Sequence, residues 1–269
     1  LPRIAVGLEY DGAPFAGWQS QQAGVSSVQE TTEAAFSKVA ATPVSLVCAG
    51  RTDAGVHALG QVVHFDTTAV RGERGWVLGA NTNLPDSISV RWARPVPGHF
   101  HARYSAEART YRYLVLNRLG RSALAAQRAA LIYRPLDVER MAAAAALLVG
   151  DHDFSAFRAA GCQAHSPIRR LYELTVQRCG DRVVIEATAN AFLQHMVRNL
   201  VGLLLEVGVG KAAPQWAAEV LAARDRTRSA ATAPAHGLYF WKVRYPQAFG
   251  LPEEAAGPVS AIISDPPPG

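Results

Sequence analysis

The 269 residues carry 27 basic and 22 acidic side chains, a net charge of +5, and 49% hydrophobic residues. That is apolar material for one large domain or two smaller ones, with a charge balance that suits a polyanionic partner. The three cysteines, Cys48, Cys162 and Cys179, form no C-x-x-C pair, and the longest apolar run, Met141–Val149, is far short of a membrane span, so a disulfide framework, a cysteine zinc site and a membrane anchor are all disfavoured and a reducing cytoplasm is the expected compartment.

Along the chain, Arg3–Tyr10 is β-branched and aromatic and reads as a strand rather than a signal peptide, broken by Asp11-Gly12-Ala13-Pro14. Ser26 or Ser27 can cap a helix over Val28–Ala41, with Val28, Thr32, Ala35, Phe36 and Val39 at helical spacing and Pro43 beyond its end. Val44–Ala49 and Gln61–Phe65 read as strands flanking a glycine-bearing loop, Gly50–Gly60. Trp76–Leu84 reads as a helix, and Ser87–Val96 and Arg109–Leu116 as strands. The stretch from Arg91 to Arg134 holds nine arginines (91, 94, 103, 109, 112, 118, 121, 128 and 134) against one acid, Glu107. Its local charge of +8 exceeds that of the whole chain and offers a surface for phosphate groups; the alternative is a solvated basic loop. Asp137–Val149 has the acidic start of a helix, and Arg170–Arg178 and Arg182–Ala189 pair as a hairpin across Cys179-Gly180-Asp181. Gln194–Val207 is the longest helix, Pro214–Arg224 another, and Leu238–Arg244 a last strand. The expected class is α/β in the mixed α+β sense. Its two similar halves are an N-terminal subdomain over 1–105 and a C-terminal one over 106–245, followed by a proline-rich, disordered tail over 246–269.

Several familiar motifs fail on inspection. Gly50-x-x-x-x-Gly55 is followed by Val56-His57, where a phosphate loop needs Lys and then Ser or Thr. Gly208-Val209-Gly210-Lys211 lacks the preceding strand and third glycine of a dinucleotide fingerprint. His99-x-His101 has no third ligand at usable spacing, and the other histidines are scattered. No metal or cofactor is therefore expected, and the chemistry falls to ordinary side chains.

The segment that stands out is Gly50-Arg51-Thr52-Asp53-Ala54-Gly55-Val56-His57-Ala58, which brings a carboxylate, a guanidinium and two glycines into one turn. Taken alone, Asp53 could simply cap the turn and pair with Arg51. The same nine residues resemble the TruA family of tRNA pseudouridine synthases. So do Tyr10-Asp11-Gly12, Phe15-Ala16-Gly17-Trp18-Gln19, Ser27-Val28-Gln29, Phe100-His101-Ala102-Arg103, Arg109-Thr110-Tyr111-Arg112-Tyr113, Asp153-Phe154-Ser155-Ala156-Phe157 and Phe192-Leu193-Gln194-His195-Met196-Val197-Arg198-Asn199. The likeness runs to about Tyr245 and is weakest over Arg121–Arg134 and the tail.

The resemblance implies an isomerase that converts uridine to pseudouridine in the anticodon stem-loop of tRNA, at positions 38, 39 and 40, without cofactor or metal. It implies Asp53 as the nucleophile and Tyr111 as the residue stacking on the target uracil. Arg198 would be the cation beside Asp53, with an ion pair to Glu206 as its structural alternative, and Arg51 would occupy the space left by a flipped base. His57 either lines the cleft or stabilises the turn. The resemblance further implies a homodimer, a sheet shared by the two subdomains with helices flanking it, and an active cleft between them. A noncatalytic tRNA-binding protein is the leading alternative. A glycoside hydrolase would need a second carboxylate, and Glu107 is the only acid in the basic stretch.

Overall fold

The computed structural model describes residues 1–19 and 24–252. It holds ten strands, mostly antiparallel, and five α-helices, the mixed α+β class expected. The described residues fall into two units, 1–108 with 239–252, and 109–238. The last strand therefore clusters with the first unit, whereas position in the sequence groups it with the second half.

In the first unit the elements are β1 (Arg3–Tyr10), α1 (Val28–Ala40), β2 (Val47–Cys48), β3 (His57–Asp66), α2 (Glu73–Asn83) and β4 (Ile88–Val96). β1 is central, paired antiparallel with β3 on one side and β4 on the other. Both faces are covered, and Ala5, Val6 and Leu8 are fully buried. Phe36 of α1, Phe65 of β3 and Trp76 of α2 form the aromatic centre, with ring centroids 5.1–6.2 Å apart.

Ser27 caps α1 through its hydroxyl. Its Oγ accepts from the Glu30 N–H and donates to Oε2 of Glu30, both at 3.2 Å. The expected strand over Val44–Ala49 shrinks to two residues for a nameable reason. The Val44 N–H donates to Ser37 Oγ at 2.9 Å and that of Leu46 to Glu33 Oε1 at 2.8 Å, so side chains of α1 take the hydrogen bonds a neighbouring strand would have taken.

The second unit holds β5 (Ala108–Leu116), β6 (Ala130–Leu131), α3 (Val138–Ala146), β7 (Gly150–Asp153), β8 (Ile168–Cys179), β9 (Arg182–Ala189), α4 (Met196–Gly208) and α5 (Trp216–Ala223). Its strands run in the order β5-β9-β8-β7, all antiparallel, with β6 parallel to β5 at the edge. The β8–β9 hairpin turns over Gly180 and Asp181, and Gly180 has a φ of 59°. α4 is apolar nearly all round, with Leu200, Leu203 and Leu204 fully buried. It begins at Met196 rather than Gln194 because His195 sits in the left-handed region, φ 63°, which a helix cannot continue through.

β10 (Leu238–Arg244) has the bounds its sequence pattern predicts and pairs parallel with β3, Tyr239 opposite His57. Of the expected tail, Gln247–Phe249 forms a 3₁₀ turn, and Phe249 packs edge-on against Phe100 at 5.0 Å. Residues 253–269, on which the rest of that expectation falls, lie outside the described residues. No helix among the described residues is long and apolar enough to cross a membrane.

Candidate active site

Loop 50–56 lies between β2 and β3 in the first unit and is held mainly by backbone. The Trp18 N–H donates to Thr52 O at 2.9 Å, the Val56 N–H to Asp53 O at 3.1 Å, and Gly17 forms an isolated antiparallel bridge with Asp53. The Phe15–Gln19 motif is thus the second strand of a minimal ladder whose other strand is the catalytic candidate. Gly12 lies so close beneath that a Cβ there would fall 2.0 Å from Val56 O. Two side-chain contacts complete the frame: Tyr10 Oη and Thr52 Oγ1 are 2.8 Å apart, and the fully buried Gln61 donates to Gly50 O at 2.7 Å. These supports carry Asp53 half-buried and leave Arg51 exposed, two residues away.

His57 is the first residue of β3, not part of the loop, and is 2% exposed. Its Nδ1 accepts from the Gly12 N–H at 3.0 Å, and its ring stacks on Tyr239 at 4.7 Å. Of the two roles the sequence leaves open, this is the turn-stabilising one. Beneath the loop, Cys48 is buried, and burial pushes its thiol up to about 12 although Arg51 and Arg103 both draw it down.

In the second unit, Tyr111 lies on β5 opposite Ala187 of β9 and is 9% exposed, its ring edge-on to Phe192 with centroids 5.1 Å apart. Tyr113, two residues on and so on the same face, is fully buried and donates its hydroxyl to Pro234 O at 2.9 Å. Burial raises the Tyr113 pKa, which the charge of Arg198 opposes. Arg112 points to the other face and ion-pairs with Glu186 across the strands.

Arg198 is in the first turn of α4. Its Nε donates to Ala233 O at 2.8 Å, and the Ala233 N–H returns a bond to Arg198 O at 3.1 Å. Glu206, its suggested alternative partner, lies eight residues and about 12 Å along the helix and is engaged by Lys211 at 2.8 Å. His236, half-buried in the segment that receives Arg198, has its pKa lowered by burial and then by the charge of Arg198.

Sequence reasoning passed over Asn199, which is fully buried directly after Arg198. Its amide donates to Phe157 O at 2.7 Å, and its carbonyl accepts from Thr232 Oγ1 at 2.7 Å and Arg226 Nη2 at 3.0 Å. An asparagine amid the leucines and valines of α4 was the available signal, because a polar group inside an apolar helix must find partners. Phe192 is a second such residue, since its contact with the Tyr111 ring appears only in the fold.

The basic stretch is less positive in the fold than in the sequence. Arg91 approaches Glu9 at 3.7 Å, Arg94 meets Glu73 at 2.9 Å, Arg118 meets Asp181 at 3.0 Å, and Arg112 takes Glu186. These acids lie outside the stretch, so counting charge along the segment overstated it. Arg103, Arg121, Arg128 and Arg134 are exposed. Among the described residues, no three His, Cys, Asp or Glu side chains are grouped so as to hold a metal ion.

Comparison with known proteins places these residues in a family. The tRNA pseudouridine synthase family matches residues 8–105 and 144–246. The chain is 54% identical over 259 residues to tRNA pseudouridine synthase A of Alcanivorax borkumensis, covering 96% of this chain and 97% of that one. It is 55% identical over 253 residues to tRNA pseudouridine synthase A of Methylococcus capsulatus, covering 94% and 93%. To that of Pseudomonas aeruginosa it is 53% identical over 258 residues, covering 96% and 90%. With more than half its length matched by the family and relatives above 50% identity end to end, the chain belongs to the tRNA pseudouridine synthases.

Proposed function

We propose that this protein isomerises uridine to pseudouridine in the anticodon stem-loop of tRNA, at positions 38, 39 and 40, with Asp53 as the carboxylate that makes and releases the covalent or ionic contact on which the rearrangement turns. The observation that carries the reading is Asp53 itself, half-buried on a loop whose backbone is clamped to Gly17 and Trp18, in a chain of this family.

The reaction breaks the N1–C1′ bond, turns the uracil, and forms C5–C1′. The proton lost from C5 is balanced by one gained at N1, so no oxidant, reductant or water is consumed. Asp53 can attack C1′, attack C6 of the uracil, or remove a ribose proton; one carboxylate at one position serves all three. A carboxylate is a weak nucleophile in water, so fixing its direction with a rigid backbone lowers the barrier by pre-orientation.

Tyr111 is assigned to stack on the uracil, Arg198 to supply the positive charge that keeps Asp53 ionised as the base covers it, and Arg51, exposed beside Asp53, to fill the gap in the stem when the nucleotide flips out. Exposed arginines 121, 128 and 134 are assigned to phosphates, which makes affinity fall steeply with salt. By likeness to the family the working unit is a cytoplasmic homodimer.

The test uses tRNA tritiated at C5 of uridine. Wild type is expected to release label to water in proportion to anticodon-stem uridines, and Asp53→Ala to release none while binding tRNA as tightly. No release by wild type despite tight binding would leave the noncatalytic tRNA binder as the reading.

A further inference from the structure

The turn 100–105, just after β4, displays a ring that the reaction above does not use. Tyr104 is 75% exposed, yet its ring is stacked on His101 with centroids 4.3 Å apart and planes 29° from parallel. The Arg103 guanidinium lies over the same ring at 5.6 Å. The imidazole beneath is fixed in turn, because its Nδ1 accepts from the N–H groups of Arg103 at 3.2 Å and Tyr104 at 3.1 Å.

The turn is anchored on several sides. Arg3 donates to Phe100 O at 2.6 Å, the Ala102 N–H donates to His64 Nδ1 at 3.1 Å, and Tyr245 donates its hydroxyl to Ala102 O at 2.6 Å. Ser105 accepts from the His101 N–H at 2.9 Å and returns its own N–H to His101 O at 2.8 Å. An exposed tyrosine normally loses rotamer freedom when it binds. Here the backbone and the imidazole have already taken most of that freedom away.

The surroundings select the ligand. An aromatic face beside a guanidinium suits a nucleobase with its phosphate nearby, and stacking accepts any base. The position suits it too: the turn is bonded to His64 of β3, the strand that the Asp53 loop leads into.

We propose that Tyr104, backed by His101 and flanked by Arg103, is a stacking platform for an unpaired nucleotide of the bound RNA, separate from the uridine being isomerised. The proposal rests on the tRNA reading above.

The test measures tRNA binding by the full chain carrying Asp53→Ala, so that nothing turns over, with Tyr104→Leu or Tyr104→Phe added. Leucine is expected to weaken binding roughly tenfold and phenylalanine to leave it unchanged, because stacking needs the ring and not the hydroxyl. The slope of log Kd against log salt is expected to stay the same in Tyr104→Leu, since no phosphate contact is removed. Thermal melting should match in all three, the ring being exposed. Leucine binding as tightly as phenylalanine would overturn the platform alone. A parent that does not bind tRNA would overturn the platform together with the reading beneath it.

Discussion

Two segments carry the candidate chemistry, and they are built in different ways. Loop 50–56 is positioned mainly by main chain against main chain, Trp18 on Thr52, Gly17 on Asp53 and Asp53 on Val56, with Tyr10 and Gln61 as its two side-chain supports. The head of α4 also has backbone in close approach, since a Cβ on Gly202 would fall 2.0 Å from Ala231 O. What fixes it there, however, is a buried side chain, Asn199, joining the Phe157 turn, Arg226 and Thr232 to the residue after Arg198. The lesson concerns where each is vulnerable. A site framed by backbone tolerates loss of a side chain and fails when one is added; a site framed by a buried amide fails when that amide is removed.

The largest effect is expected from Gly12→Ala. The new methyl would meet Val56 O at 2.0 Å and Val56 C at 2.5 Å, and neither backbone atom can rotate away. Separating the two segments should cost on the order of 4 kcal/mol and move Asp53, so turnover should fall further than the fraction folded. Chemical denaturation alongside tritium release checks both. A Gly12→Ala enzyme with wild-type stability would break the backbone half of the comparison.

Asn199→Ala tests the other half. It leaves a buried carbonyl at Phe157 and the side chains of Thr232 and Arg226 each short of a partner, a loss of about 2–3 kcal/mol. Because Thr232 adjoins Ala233, whose carbonyl receives Arg198, the variant should also lose turnover at saturating tRNA under conditions where it is fully folded. Equal stability of Asn199→Ala and wild type would show that the helix packing alone holds the segment.

The same division explains what could be read in advance. Features set by neighbouring residues were legible: the Ser27 cap, the β8–β9 hairpin and β10 all depend on short-range pattern. Asp53 drew attention because a carboxylate, a guanidinium and two glycines fell within six residues, and its assignment came from the family likeness rather than from spacing. Features set by distant partners were not legible. Val44 and Leu46 lost their strand to the side chains of α1, His57 became the start of β3 rather than part of the loop, and four of the nine clustered arginines were claimed by acids from elsewhere. Asn199 belongs to the same class, since its value is visible only once residues 157, 226 and 232 surround it.

A pH titration sharpens the comparison within the first unit. His64 is buried, and its pKa is lowered from 6.5 to about 4 by burial first, then by Arg3 and His101, with Asp66 opposing. Its Nδ1 accepts from the Ala102 N–H, a bond only the neutral ring can accept. Because the folded pKa lies below the unfolded one, the unfolded chain binds more protons between them. The stability from neutral His64 is therefore complete above about 6.5 and lost as pH falls towards about 4. Denaturation across that window should show a shallower loss in His64→Asn than in wild type; identical slopes would place the acid sensitivity elsewhere.

The smallest effect belongs to Tyr10→Phe. The hydroxyl contacts Thr52 at 2.8 Å under the loop, and burial raises its pKa, so it is neutral and acts only as a hydrogen-bonding group. Removing it leaves the ring's packing against Trp18 in place and costs about 1 kcal/mol. Turnover should stay within about threefold of wild type, because Thr52 is also held through its carbonyl by the Trp18 N–H and Asp53 takes its direction from that backbone. A large fall in turnover with little change in stability would mean that the Tyr10–Thr52 contact aims the carboxylate, and that the loop, like the head of α4, depends on a buried side chain.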